Sequence, residues 1–144
     1  MSQPAARRRI GEVAERTGLS LRTIRYYGEM GLVEPSARSR GGFRLYTESD
    51  IERLLLVKRM KPLDFSVEDM RELLTLLDRL AGATSTAGER AALLDSLAGF
   101  EEAVANRCAQ LREQLAIAEE FGDLLRARRG EHEGAQHSRE KERR

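Results

Sequence analysis

From Leu93 onward the chain repeats apolar residues in steps of three and four: Leu93, Leu97, Phe100, Val104, Cys108, Leu111, Leu115, Ala118 and Leu125. The row has one pair of successive four-residue steps, through Val104 to Cys108, and its register weakens near Gly122. Such steps place side chains on one face of an α-helix, where residues three and four apart are neighbours. The spacing predicts a helix over residues 89–129, roughly 40 residues and on the order of 60 Å long. Charged residues flank the row, so the apolar stripe is narrow. A long, narrow stripe cannot bury itself against a small domain alone. It asks for a partner helix, most simply the same helix of a second copy in a coiled coil, and the nine residues of the row are the candidate dimer interface. Folding back on residues 50–80 is the intramolecular alternative.

The rest of the chain sets the scale of what this helix joins. With 144 residues, 40% hydrophobic and 34% charged, there is material for one modest globular domain and one extended element. No apolar run reaches the length of a bilayer span, and the N-terminus lacks the apolar stretch of a signal peptide, which predicts a cytoplasmic protein without membrane association. A single cysteine, Cys108, excludes an intrachain disulfide framework and argues against a thiolate metal cage within one chain. The net charge of +1 conceals a division. Residues 1–46 carry a net +5 and residues 47–144 a net −4. A basic N-terminal face is the electrostatic condition for binding a polyanion.

Two arginine- and tyrosine-rich segments lie in that basic part. Ile10, Val13 and Ala14 share a helical face, and Gly18 is placed to end a first helix of about residues 11–17. Ser20 can cap a second helix, in which Leu21, Ile24 and Tyr27 face inward while Arg22, Thr23, Arg25 and Tyr26 point out. Gly31 ends it. Helix, turn and helix over about residues 11–30 is the form of a helix-turn-helix, the second helix in the reading position. Residues 34–46 then hold Pro35, Arg38, Arg40 and the run Gly41-Gly42-Phe43-Arg44-Leu45-Tyr46. The glycines permit a sharp reversal, and Arg44 and Tyr46 alternate as on one face of a short strand, so this stretch reads as a wing. Arginine suits phosphates and guanine edges, and tyrosine hydroxyls bond phosphate oxygens. For Tyr27 a core ring and a phosphate contact are both open.

Thr47 with Asp50, and Ser66 with Asp69, have the form of capping boxes with Asp in the third helical position. They predict two amphipathic helices, one stopped by Pro62 and one running to about Leu80. Residues 81–88 read as a linker, residues 1–9 as a flexible basic tail, and residues 130–144, with nothing apolar larger than alanine, as a disordered tail.

The segments Ile10-Gly11-Glu12-Val13-Ala14, Gly18-Leu19-Ser20, Thr23-Ile24-Arg25-Tyr26-Tyr27, Gly31-Leu32-Val33, Gly41-Gly42-Phe43-Arg44-Leu45-Tyr46 and Asp50-Ile51 stand in an order and spacing that resembles the MerR family of bacterial transcription regulators. The likeness runs from about Ile10 to Leu80. It implies a mainly α fold: a winged helix-turn-helix DNA-binding domain over residues 10–80, then a long C-terminal helix that pairs antiparallel with its mate in a homodimer. It also implies binding to a pseudo-palindromic operator in double-stranded promoter DNA, which the dimer bends and untwists to realign promoter elements for RNA polymerase. Carried over by position, the DNA-binding residues are Arg22, Thr23, Arg25, Tyr26, Tyr27, Arg38, Arg40, Arg44 and Tyr46. One departure is Asp64, where the family pattern has glycine; aspartate tolerates the left-handed turn better than most residues.

No cofactor, metal or catalytic residue is implied. Cys108 belongs to the predicted seam, and His132 and His137 lie in the polar tail. Paired carboxylates, a nucleophile with a histidine, and a phosphate loop are all missing from the motifs, so an enzyme is not expected. The other class left open is a coiled-coil interaction module that docks a protein such as a sigma factor through a vestigial DNA-binding half. No small-molecule effector can be read from the residues.

Overall fold

Helices α1 (Ile10–Thr17) and α2 (Leu21–Glu29) meet through Val13 and Ile24, both without solvent exposure. The computed structural model describes residues 7–82 and 86–143. Between α1 and α2 the turn is built as the residues demand. Gly18 takes a left-handed conformation with φ 71°, and its N–H donates to Ala14 O at 2.9 Å. Ser20 Oγ accepts the Thr23 N–H at 3.1 Å and caps α2. Buried Thr17 donates its hydroxyl to Val13 O at 2.8 Å and accepts the Leu19 N–H at 3.3 Å, so its polar atoms are satisfied inside the core. Leu21, expected to face inward, is exposed at the start of α2. The helix needs only Ile24 and Tyr27 to define its buried side.

Strands β2 (Ala37–Arg38) and β3 (Arg44–Tyr46) form the wing hairpin, whose reversal uses Gly42 at φ 80° and a Gly42 N–H bond to Ser39 O of 2.9 Å. A further strand joins them. Strand β1 (Arg8–Arg9) pairs antiparallel with β3, Arg8 opposite Tyr46, and the sheet order is β1-β3-β2. The expected flexible tail over residues 1–9 is thus corrected at its end: Arg8 and Arg9 are part of the sheet, while residues 1–6 lie outside the described residues. The cause is local. The central strand needs a ladder partner on its second edge, and Arg8 is held there by ion pairs to Glu12 and Glu48.

Both predicted capping boxes form. In α3 (Glu48–Met60), Asp50 N–H donates to Thr47 Oγ1 at 3.2 Å and Thr47 N–H to Asp50 Oδ2 at 2.9 Å. In α4 (Val67–Ala81), the two bonds between Ser66 and Asp69 are each 3.0 Å. A single 3-10 turn, Lys61–Leu63, joins α3 to Asp64, whose φ of 61° is left-handed. Arg53 Nη1 reaches both carboxylate oxygens of Asp78 at 2.6 Å and ties α3 to α4. The core collects Val13, Ile24, Tyr27, Val33, Tyr46, Ile51, Leu54 and Val57 with Met60, Met70 and Leu74. Each such side chain contributes about 1.5–3 kcal/mol relative to exposure.

Helix α5 runs from Ala87 to Glu142. Contacts divide the chain into Met1–Phe100 and Glu101–Arg144. In the first unit the predicted seam is partly used within the chain: Leu93 is buried, and the Phe100 ring lies 6.3 Å from that of Phe65. The fold-back alternative therefore holds for residues 93–100. In the second unit Val104 and Cys108 are half-buried, while Leu111, Leu115, Ala118 and Leu125 are exposed. Ile117, Phe121 and Leu124 are exposed as well, so the apolar surface is wider than the predicted row.

The expected disordered tail over 130–144 is helical through Glu142. Missing apolar residues rule out burial, but a helix already formed propagates without a new nucleus, and Glu, Gln, Ala, Lys and Arg cost it little. Arg129 and Glu133 add a pair at 3.7 Å with helical spacing. Of the expected linker 81–88, residues 83–85 lie outside the described residues, Ala81 ends α4 and Ala87 begins α5.

Gly18 supplies a test of this packing. A Cβ there would face a left-handed backbone and stand 2.9 Å from Lys58 Nζ. Gly18→Ala is expected to cost about 1–2 kcal/mol, read as a lower urea midpoint with an unchanged slope.

Candidate nucleic-acid interface

Helix α2 separates its residues as its period requires. Ile24 and Tyr27 enter the core, and Arg22, Arg25 and Tyr26 are exposed. Thr23 is half-buried, and its Oγ1 accepts the Ser20 hydroxyl at 2.8 Å. Tyr27 is 3% exposed, which decides between its two readings: it is a core ring, tilted against Tyr26 with centroids 5.8 Å apart. Burial, and then the neighbouring Tyr26, push the Tyr27 phenol above its ordinary range.

In the wing, Arg38 and Arg40 are exposed, and Arg38 Nη1 donates to Gly42 O at 3.3 Å. Arg44 is half-buried against α2, where a Cβ on Gly28 would stand 3.9 Å from its Nη1. Tyr46, expected at the DNA, has no exposure. The alternation of β3 is as predicted, but β3 is the central strand and its Tyr46 side is covered by the core. Burial raises the Tyr46 phenol; the nearby Arg44 guanidinium pulls it back, Asp50 adds to the rise and Arg25 opposes it. Tyr46 Oη and Arg44 Nη1 are both buried with no partner at good hydrogen-bond geometry, although the guanidinium lies close enough to the phenol to act on it as a donor. Each such atom costs about 1–3 kcal/mol, so their persistence needs a reason.

Two groups escape the sequence reading. Lys61 shares a cleft of about 490 Å³ with Arg22, Thr23 and Tyr26, adding a cation beside the reading helix. Arg9 lies over the Phe43 ring at 5.0 Å, and Phe43 is 57% exposed at the wing. The signal for the second was an arginine run and an aromatic residue next to the Gly-Gly turn, but their pairing needs β1. Among the described residues no group of three or more His, Cys, Asp or Glu is placed to hold a metal ion, and no helix is long and apolar enough to cross a membrane.

Reading helix and wing meet at Arg44 and Gly28, and comparison with known proteins gives this arrangement its family. The profile described as MerR HTH family regulatory protein matches residues 8–77. The HTH-type transcriptional regulator CueR of Yersinia pestis is 38% identical over 112 residues, covering 77% of this chain and 78% of that protein. The chain belongs to the MerR family. This is a family of transcription regulators, not of enzymes. The regulator ZntR of Escherichia coli (strain K12) is 47% identical over 68 residues, 47% of this chain and 48% of that protein. With ZntR and several other curated relatives, the match spans about half of the relative's length. Among solved structures, HiNmlR, a MerR family regulator lacking the sensor domain and bound to promoter DNA, superposes with a TM-score of 0.58 at 25% identity, covering 79% of this chain and 86% of that one.

In this MerR-type domain the wing is positioned by carboxylates at the start of α3. Asp50 Oδ2 accepts from Thr47 N–H, from Ser36 N–H at 3.2 Å and from the Ser36 hydroxyl at 2.6 Å, fixing the approach to β2. Glu48 accepts from Arg16 at 2.9 Å and from Arg8 Nε at 3.1 Å, joining α1 and β1 to α3. The Arg16 and then the Arg8 guanidinium hold the Glu48 carboxyl at about 2, well below the usual range. A depressed carboxyl stabilises the fold above its unfolded value of about 4.5, and that contribution is lost as pH falls towards 2. Glu48→Gln is therefore expected to melt below the wild type at neutral pH, with the gap closing between about pH 4.5 and 2 in a series of thermal scans. High salt narrows the same gap, since the groups are solvated.

Proposed function

We propose that the protein is a cytoplasmic, homodimeric transcription regulator that binds a pseudo-palindromic promoter operator and distorts it. The observation that carries this reading is the junction of α2 and wing: Arg25 stands exposed on α2, Arg44 lies against the same helix at Gly28, and neither has an ion-pair partner among the described residues. Cations left unpaired on adjoining elements are what a phosphate backbone rewards. Arg22, Thr23, Arg25 and Tyr26 are assigned to the major groove and its flanks, and Arg38, Arg40 and Arg44 to backbone phosphates, with Lys61 added beside α2. Tyr27 and Tyr46 act from the core.

The exposed apolar face of α5 supports the dimer. Leu115 is 57% and Phe121 59% exposed, and faces of this kind are rarely left in water. Pairing of two such helices, antiparallel as in the family, would set two reading heads on one duplex. Bending a site of 20–30 base pairs costs roughly 1–6 kcal/mol, so phosphate contacts on both flanks have to hold the distorted form presented to RNA polymerase.

Fluorescence anisotropy on promoter fragments tests the surface. Arg25→Ala and Arg44→Ala are each expected to weaken binding by about 1–3 kcal/mol, and Arg44→Ala to lower the slope of log K against log salt by about one. Unchanged specific binding by both variants would overturn the reading. For the dimer, Leu115→Asp with Leu125→Asp is expected to sediment as a monomer and to lose the full operator while keeping the melting transition of the N-terminal domain.

A further inference from the structure

Burial removes Tyr46 from the DNA and leaves its hydroxyl unexplained. We propose that Tyr46 is a positioning residue for Arg44: its buried hydroxyl holds the wing guanidinium against α2 and keeps it from pairing with Glu29 and Glu34. The inference rests on the DNA-binding reading above and assigns a role inside the same surface.

Arg44 lines a cleft of about 300 Å³ together with Gly28, Glu29, Glu34 and Arg38. A guanidinium that shares a cleft with two carboxylates ordinarily pairs with one of them, because charge-assisted bonds are the strongest on offer. Here it pairs with neither among the described residues. Its Nη1 is instead buried on the Tyr46 side of β3, where the guanidinium acts on the phenol oxygen as a donor and neither atom has another partner. A phenol oxygen can accept from a guanidinium without neutralising it, whereas a carboxylate that accepts also cancels the charge. Arg44 lies over α2 at Gly28, where a Cβ would stand at an ordinary contact distance of 3.9 Å from its Nη1.

Operator titrations with Tyr46→Phe, Arg44→Ala and the double variant test this, repeated with Glu29→Gln/Glu34→Gln in the wild-type and Tyr46→Phe backgrounds. Tyr46→Phe is expected to keep the wild-type melting temperature and lose about tenfold in affinity. Combined with Arg44→Ala it adds nothing. Neutralising the two glutamates restores binding more in the Tyr46→Phe background than in the wild type. Without DNA, the Arg44 side-chain Nε resonance is expected to move to an ion-paired position in Tyr46→Phe and return when the glutamates are neutralised. Wild-type affinity in Tyr46→Phe, a loss that adds to that of Arg44→Ala, equal gains in both backgrounds, or an unmoved Arg44 resonance overturns the proposal while Arg44→Ala still weakens binding. If Arg44→Ala leaves affinity and salt slope unchanged, the DNA-facing role of Arg44 fails first and the proposal fails with it.

Discussion

Lys58 Nζ donates to the carbonyl of Thr17 at 2.6 Å, and most of the reading surface depends on that contact. The carbonyl belongs to the last residue of α1, which has no partner further along its own helix. Supplying it from α3 satisfies a buried acceptor and fixes the direction in which the chain leaves α1. Gly18 then turns, Ser20 caps, and α2 starts in one orientation. The same helix α3 governs the wing from its other end, where Asp50 binds Ser36 and Thr47 and where Glu48 gathers Arg8 and Arg16. One amphipathic helix thus sets both halves of the reading head. Leu54 and Val57, fully buried on its inner side, supply the apolar burial that makes these polar bonds cooperative.

The charge pattern acquires a finer meaning from the same geometry. Not all cations of the basic N-terminal part face a ligand. Arg8 and Arg16 are spent on Glu48, and Arg9 lies on Phe43. Arg22 and Arg25 stand out from α2, and Arg38, Arg40 and Arg44 come from the wing. Counting arginines locates the basic face. Only their partners distinguish cations that hold the fold from cations available to phosphate.

Several features were legible because their cause is local. A capping box needs four residues, so Thr47 with Asp50 and Ser66 with Asp69 could be read directly, as could the left-handed turn at Gly18, while that at Asp64 was expected only from the family pattern, which has glycine there. The tail at 130–142 was misread for a physical reason: absence of apolar residues speaks to burial, while helix continuation depends on propensity and on a helix already begun. Strand β1 was missed because a two-residue strand has no period to detect. Leu93 and Phe100 fit a seam by spacing, but spacing says only that a face is buried and not by what.

By itself the sequence determined the order of elements, the inward place of Ile24 on α2, the glycine turns, the caps and the long apolar row, since each follows from backbone preference or helical period over a few residues. Tertiary structure decided which side of β3 is covered. That choice turned Tyr46 from an expected DNA contact into a buried neighbour of Arg44. Alternation along a strand places two residues on one side, but whether that side meets water or core is settled by what packs across it, here α2 and the start of α3.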